Sequence, residues 1–288
     1  MVSLDVFDTA LVRKVRTPKD VFLFLYALPP IEALELGSQQ VARLREHAEQ
    51  VARQRAHASR GTAEVSLADV YAVFLELVGA TDAEDVVPAL VAAEESAELA
   101  VAAPHPYFLE LYRRARRDGK RVWFVSDTYH TAEFLRRLLQ QAGYAGDDAE
   151  MVVTSADEGV SKGSGELFTR LLAREGVLPG AVLHVGDHPQ SDAAVPLGLG
   201  VRAVHHPLAA TTDAHTISAS AEEALVAGLG AIATRCHAEL RSFWWRFGYA
   251  TAGPALAGFA LWLHEELRKD GVGHAYFLLR DGEILQRV

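Results

Sequence analysis

"VSLDVFDTALV", residues 2–12, sets a short run against two acids, Asp5 and Asp8, with the bulky Phe7 between them. The run reads as a strand that stops at a polar edge, although turn formation alone would also favour Asp there, because its side chain bonds the backbone amides that follow. Working outward, the next comparable run is "RVWFVSD" at 121–127, almost wholly apolar, as strands buried on both faces are. "MVVTS" (151–155), "AVLHVGD" (181–187) and "VRAVHH" (201–206) follow, with helical stretches near 131–142 and 165–175 between them. Such alternation predicts an α/β fold: a Rossmann-like parallel sheet with helices on both faces and right-handed crossovers. The opening run joins that sheet.

Between the first strand and the second the pattern is helical. "TPKD" (17–20) predicts a helix start, with Thr17 as N-cap, Pro18 at the first helical position and Asp20 closing a capping box. "QQVARLREHAEQVARQRAHA" (39–58) places Val41, Leu44, Ala48 and Val51 on one stripe, and its Arg43, Arg45, Arg53 and Arg55 are expected to pair locally with Glu46 and Glu49. "SLADVYAVFLELV" (66–78) opens on a Ser66–Asp69 capping box, and an acidic helix follows near 83–99. The predicted organisation is therefore an α/β core from 1–16 and 104–210, a helical cap at 17–103 inserted after the first strand, and a C-terminal lobe at 221–288. That lobe reads as helical and partly α/β: "HAYFLLRDGEILQRV" (274–288) is a predicted strand opening a second domain. Phe243, Trp244, Trp245 and Phe247 are expected to pack against the first domain, with a partner-binding patch as the alternative.

Composition bounds the function. Half of the 288 residues are apolar and 23% are charged, as in ordinary globular proteins, and the net charge of −10 argues against nucleic acid or an anionic membrane surface as partner. No apolar run approaches the ~18 residues of a membrane span. Arg13, Lys14, Arg16 and Lys19 before "VFLFLYAL" (21–28) imitate a signal peptide, but the run is short, Asp20 interrupts the flank, and the helix start accounts for it better. Cys236 is the single cysteine, which excludes a disulfide framework and a cysteine metal cage and points to the cytoplasm.

In parallel sheets ligands sit beyond the carboxyl ends of strands. The polar residues there are Asp5, Asp8 and Thr9, then Ser126 and Asp127, then Lys162 at a later helix start, then Asp187 and Asp192. Acids, a hydroxyl and one lysine on a single edge are what magnesium-assisted phosphoryl transfer needs. Hard oxygens hold the ion, ion and lysine neutralise phosphoryl oxygens, and one carboxylate can act as nucleophile.

At these residues the chain resembles the haloacid dehalogenase (HAD) superfamily. Four stretches in order carry the resemblance: "VSLDVFDTAL", "VWFVSD", Lys162 within "VSKGSGELF", and "LHVGDHPQSD". They span roughly residues 1–206, with the helical insertion in the place of that family's cap. The "DVFDT" opening is similar to that of larger, poorly characterised bacterial HAD-like proteins. The resemblance implies that Asp5 is a nucleophile forming an aspartyl-phosphate, that Thr9 supports the first loop on the substrate side, and that Ser126, beside Asp127, bonds a phosphoryl oxygen. It implies that Lys162 screens charge between nucleophile and phosphate, and that Asp187 binds Mg2+ with Asp5 and the backbone carbonyl of Phe7, supported by Asp192. Phe7 departs from the phosphatase pattern, in which a second Asp at this position transfers protons, help worth roughly 10²–10⁴-fold. Asp8 has two readings, substitute proton carrier or turn former. The implied function is Mg2+-dependent hydrolysis of a small phosphorylated metabolite; the alternative is a binding or regulatory module that keeps the metal and phosphate pocket. A further domain or protein partner is expected at the C-terminal lobe. Among the histidines, His184 is expected to be a hydrogen-bonded core residue and His188 to shape its loop.

Overall fold

The computed structural model describes residues 1–27, 29–32, 35–80, 86–144, 152–207, 216–237, 242–278 and 283. Strands β1 (Val2–Leu4) and β2 (Leu11–Arg13) lead into a 3₁₀ helix, Pro18–Ala27, and then α1 (Pro29–Glu32), α2 (Ser38–Arg60), α3 (Leu67–Leu77) and α4 (Val87–Val101). β3 (Ala102–Pro104) returns antiparallel to β2, so the chain enters and leaves this helical unit through a two-stranded ribbon. From there helices and strands alternate: α5 (Pro106–Arg117), β4 (Val122–Ser126), α6 (Ala132–Gln141), β5 (Val152–Thr154), α7 (Ser155–Glu158) and α8 (Glu166–Glu175). After β6 (Leu183–Gly186), α9 (Val195–Gly198) and β7 (Arg202–His205), the C-terminal part holds α10 (Ala221–His237), α11 (Phe243–Phe247) and α12 (Gly253–Lys269).

β1 is the middle strand of a five-stranded sheet of order β5-β4-β1-β6-β7, every pairing of which is parallel. Alternation along β4 shows why the sheet is covered twice. Val122 and Phe124 enter a core with Phe108 and Tyr112 of α5 and Phe134 and Leu138 of α6; Trp123 and Val125 enter another with Leu167 and Leu171 of α8. Strand order reverses at β1, which places a crevice beyond its carboxyl end.

The helical unit has its own core, built around Val21, Leu23, Val41, Tyr71, Phe74 and Leu90. The Ser66–Asp69 capping box forms in both directions, at 2.9 and 3.1 Å. The box at 17–20 forms by half: Thr17 N–H donates to Asp20 Oδ2 at 2.9 Å, while the Thr17 hydroxyl has no hydrogen-bond partner among the described residues. Asp20 instead also accepts from the N–H (2.7 Å) and hydroxyl (3.1 Å) of Ser218. Arg45 keeps the local pairing expected of it, its Nη1 reaching Glu49 Oε2 at 3.4 Å, and adds a distant partner. It is completely buried and makes a bidentate pair with Glu94 of α4, at 2.7 and 2.8 Å, and Tyr71 donates to the same carboxylate.

The C-terminal part differs from expectation in two respects. Phe243, Trp244 and Phe247 are 62%, 75% and 45% exposed, so these three rings are not packed against the first domain, while Trp245 is half-buried. One helical turn spreads neighbouring side chains over its circumference, and the rings meet each other instead, Phe243 against Trp244 at 5.2 Å. Residues 272–278, which include the start of the predicted strand, are in no regular element; a strand needs an edge to pair with, and among the described residues none meets it. Residues 279–282 and 284–288 of that strand lie outside the described residues. No helix among those described is long and apolar enough to cross a membrane.

Candidate active site

Asp5 follows β1 directly, and its N–H donates to Val185 O of β6 at 2.9 Å, so the sheet itself fixes the acid's backbone. The loop then folds back through Ala10 N–H to Asp5 O and Leu11 N–H to Val6 O. This tight return needs one left-handed residue, and Asp8 supplies it at φ +58°, a region that Asp tolerates better than most side chains. Asp8 therefore forms the turn. It also lines a cavity of about 420 Å3 together with Asp5, Phe7, Ser126, Asp127, Lys162, Gly163, Asp187, His188, Ser191 and Asp192. Thr9 does not: it is fully buried, and its hydroxyl has no hydrogen-bond partner among the described residues. The expectation that Thr9 meets substrate is corrected accordingly, because the loop turns that residue into the core.

The buried Lys162 ammonium bridges two carboxylates, reaching Asp5 Oδ1 at 2.5 Å and Asp192 Oδ1 at 2.6 Å. Asp127 positions this lysine: its Oδ1 accepts the Lys162 backbone N–H at 2.7 Å, which engages a carboxylate expected on the substrate side. Asp192 is held by three donors. Oδ1 takes Lys162 and His184 Nε2 (3.1 Å), and Oδ2 takes the His188 N–H at 3.0 Å. Only glycine fits beneath it, since a Cβ on Gly186 would lie 2.4 Å from Asp192 Cγ. The His188 ring shapes the loop as expected, with Nδ1 accepting from Gln190 and Ser191 N–H. His205 Nε2 donates to the Asp187 carbonyl at 2.8 Å.

Four carboxylates, of Asp5, Asp127, Asp187 and Asp192, surround one ammonium here. Burial, offset in part by Lys162, pushes Asp5 up to about 7, and burial together with Asp8 and Asp192 pushes Asp187 up to about 6. Asp192 resists the same burial because His184 and Lys162 hold its carboxyl well below the usual range. Lys162 stays charged, its desolvation outweighed by Asp5, Asp192 and Asp127. The cluster is short of positive charge. One oxygen from each of Asp5, Asp187 and Asp192 lies within 4.8 Å of the others, an all-oxygen set suited to a hard cation such as Mg2+. Because both Asp192 oxygens are already bonded, Asp5 and Asp187 are the better direct ligands and Asp192 the support.

Phe7 is held from behind. The Arg13 guanidinium lies 4.1 Å over its ring and is pinned to Glu98 of α4 by bonds of 2.9 Å from both Nε and Nη2. The His130 ring lies 6.1 Å away, buried, with no hydrogen-bond partner for either nitrogen among the described residues; burial, then Arg13 and Arg45, hold its pKa well below the ordinary value. Arg13, Glu98 and His130 were not anticipated as neighbours of the site. Arg13 reads in sequence as part of a basic flank, and the available signal was Glu94 and Glu98, one turn apart among mostly apolar residues of α4 that also include Glu95.

Fold and site together define a Rossmann-like α/β protein, with acids and a lysine gathered where the order of a parallel sheet reverses. More narrowly, the chain belongs to the haloacid dehalogenase-like hydrolases, whose family model matches residues 22–197. That span contains Ser126, Lys162, Asp187 and Asp192 and begins after Asp5. No curated protein sequence matches the chain significantly. Among solved structures it is similar to a 2-haloacid dehalogenase from Pseudomonas syringae pv. Tomato DC3000, at 19% identity and a TM-score of 0.52 over 71% of this chain and 85% of that one. The defluorinating L-2-haloacid dehalogenase Rha0230 gives 16% and 0.50 over 76% and 88%, and a HAD phosphatase from Thermococcus onnurineus gives 18% and 0.48 over 75% and 90%. At these identities the likeness is one of fold.

Proposed function

We propose that the chain is a magnesium-dependent phosphohydrolase acting on a small phosphorylated metabolite in the cytoplasm, with residues 17–103 as cap over an α/β core. The observation that supports it best is the buried triad Asp5–Lys162–Asp192 at the exits of adjacent strands, with Asp187 beside it. Asp5 and Asp187, with the Phe7 carbonyl, would hold Mg2+, which would supply charge neutralisation to phosphoryl oxygens. Asp5 Oδ1 is tied to Lys162, and Oδ2 carries no side-chain hydrogen bond among the described residues. Oδ2 attacks phosphorus, the ester oxygen leaves with the bonding pair, and an aspartyl-phosphate forms; water then attacks that phosphorus and regenerates the carboxylate. Lys162 screens the anionic phosphoryl group, and the Ser126 hydroxyl donates to one of its oxygens.

Proton transfer is where this chain departs. Phe7 has no proton to give, which motivates the second reading, a binding or regulatory module of slow or absent turnover, with the C-terminal lobe as its partner surface. A phosphate-release screen over small phosphate esters, with and without Mg2+ and beside Asp5→Asn, separates the two. Metal-dependent release lost in the variant supports the hydrolase; release that survives Asp5→Asn rules out this mechanism. Mg2+ binding that depends on Asp187 without release favours the module.

A further inference from the structure

Ser3 and His184 face each other as register partners in the β1–β6 pairing. Both are fully buried, in strands that take apolar side chains wherever both faces are covered. Their polar atoms are used. Ser3 Oγ lies 2.9 Å from His184 Nδ1, and His184 Nε2 lies 3.1 Å from Asp192 Oδ1. That oxygen also receives Lys162 Nζ, which in turn reaches Asp5. An unbroken polar chain, Ser3–His184–Asp192–Lys162–Asp5, thus runs from within the sheet to the cavity.

Donor and acceptor counting sets its direction. Ionised Asp192 only accepts, so Nε2 carries the imidazole proton; Nδ1 of the neutral ring is then an acceptor, and the Ser3 hydroxyl donates to it. Phe168 packs edge-on against the imidazole at 4.9 Å and restricts it from the side. We infer that His184 is a positioning residue: with Ser3 setting its tautomer, it fixes the Asp192 carboxylate so that Lys162 stays against Asp5, a role that rests on the hydrolase reading of Asp5 and Lys162. Without the Nε2–H donor, Asp192 Oδ1 would answer to Lys162 alone, and the carboxylate could turn and draw the ammonium away from Asp5.

Three variants test this. His184→Phe keeps the ring but deletes both nitrogens, His184→Gln restores a donor on a flexible arm, and Ser3→Ala leaves Nδ1 without its donor. Partners that orient metal-site ligands are typically worth about 10- to 100-fold in metal affinity or activity. His184→Phe is therefore expected to weaken Mg2+ binding, by isothermal titration, at least about 10-fold and to lower kcat for phosphate release more than it raises KM. His184→Gln should recover part of both. Nitrogen NMR should show the parent His184 as the Nε2–H tautomer and Ser3→Ala as a mixture. Unchanged Mg2+ affinity in folded His184→Phe, or an Nδ1–H tautomer in the parent, would overturn the inference. A parent that binds Mg2+ but releases no phosphate would sink the hydrolase reading alone, and the affinity comparison would still decide for or against His184.

Discussion

Asp5 and Asp187 place opposing demands on the site. Buried carboxylates keep their protons to a higher pH than they do in the unfolded chain, so between their ordinary value of 3.8 and about 6 to 7 the folded state binds more protons than the unfolded one. Stability from these two groups therefore falls as pH rises through that window. The buried His130 and His184, whose pKa values lie below the ordinary 6.5, act in the opposite sense below that pH, and subtracting two conditions isolates the acids. The expected outcome is that Mg2+ raises the melting temperature of chelator-stripped protein more at pH 8 than at pH 5, and that Asp5→Asn loses most of this increment. An increment independent of pH would show that the carboxylates do not bind the ion. Asp8 takes a different test, because Asn tolerates a φ of +58° as Asp does. If Asp8 carries the proton that Phe7 cannot, Asp8→Asn should lower phosphate release by about 10²-fold with the melting temperature unchanged; full activity would leave it as a turn residue only. The acids and Lys162 were legible in sequence because each follows an apolar run or, for Lys162, stands in the short loop before a helix. The burial of Thr9 was not, because a one-residue difference in how a loop turns decides it.

At the level of elements, α4 shows what sequence patterning hides. Its Glu94 and Glu98 look like the solvated face of an acidic helix, yet both are buried, one paired with Arg45 of α2 and the other with Arg13 of β2. The Arg13 and Arg45 partners stand 85 and 49 residues away in the chain, so no local pattern announces them. Removing one member of such a pair strands a buried charge, at a cost of about 3–5 kcal/mol, whereas replacing both with apolar side chains of similar size leaves none. Arg45→Met is accordingly expected to destabilise by about that amount in urea denaturation, and Arg45→Met/Glu94→Leu by distinctly less. A single variant within about 1 kcal/mol of the parent would mean that the pair contributes little to the helical unit. The strands were easier to read than these contacts. β4 is apolar on both faces because both faces are covered, and its boundaries follow from five buried residues in a row.

For the molecule as a whole, the C-terminal segment belongs with the helical unit more than sequence order suggests. The ribbon β2–β3 joins that unit to the sheet, and any motion of a cap over the site has to turn about residues flanking it. Segment 216–231 grips the first of those flanks. Arg16 N–H bonds Ala224 O, the Arg16 side chain bonds Thr216 O at 2.9 Å, Ser218 holds Asp20, and Ala224 is buried within the core of the helical unit. Gly228 lies so close to the chain that a Cβ there would stand 2.2 Å from Lys14 O. Nothing in the sequence signals this contact, since the glycines of α10, Gly228 and Gly230, read only as weak points in a helix. A strap of this kind should restrain local opening, which amide exchange measures segment by segment. Ser218→Ala, which removes one bond to Asp20, is expected to speed exchange modestly across residues 13–20, and Gly228→Val, which forces α10 off Lys14, to speed it more and to extend the effect to residues 101–105. Exchange in β1 and β4 should stay at the parent rate in both. If residues 13–20 exchange no faster in Gly228→Val while α10 itself does, the segment rests on the ribbon's flank without restraining it, and the helical unit is held by the ribbon alone.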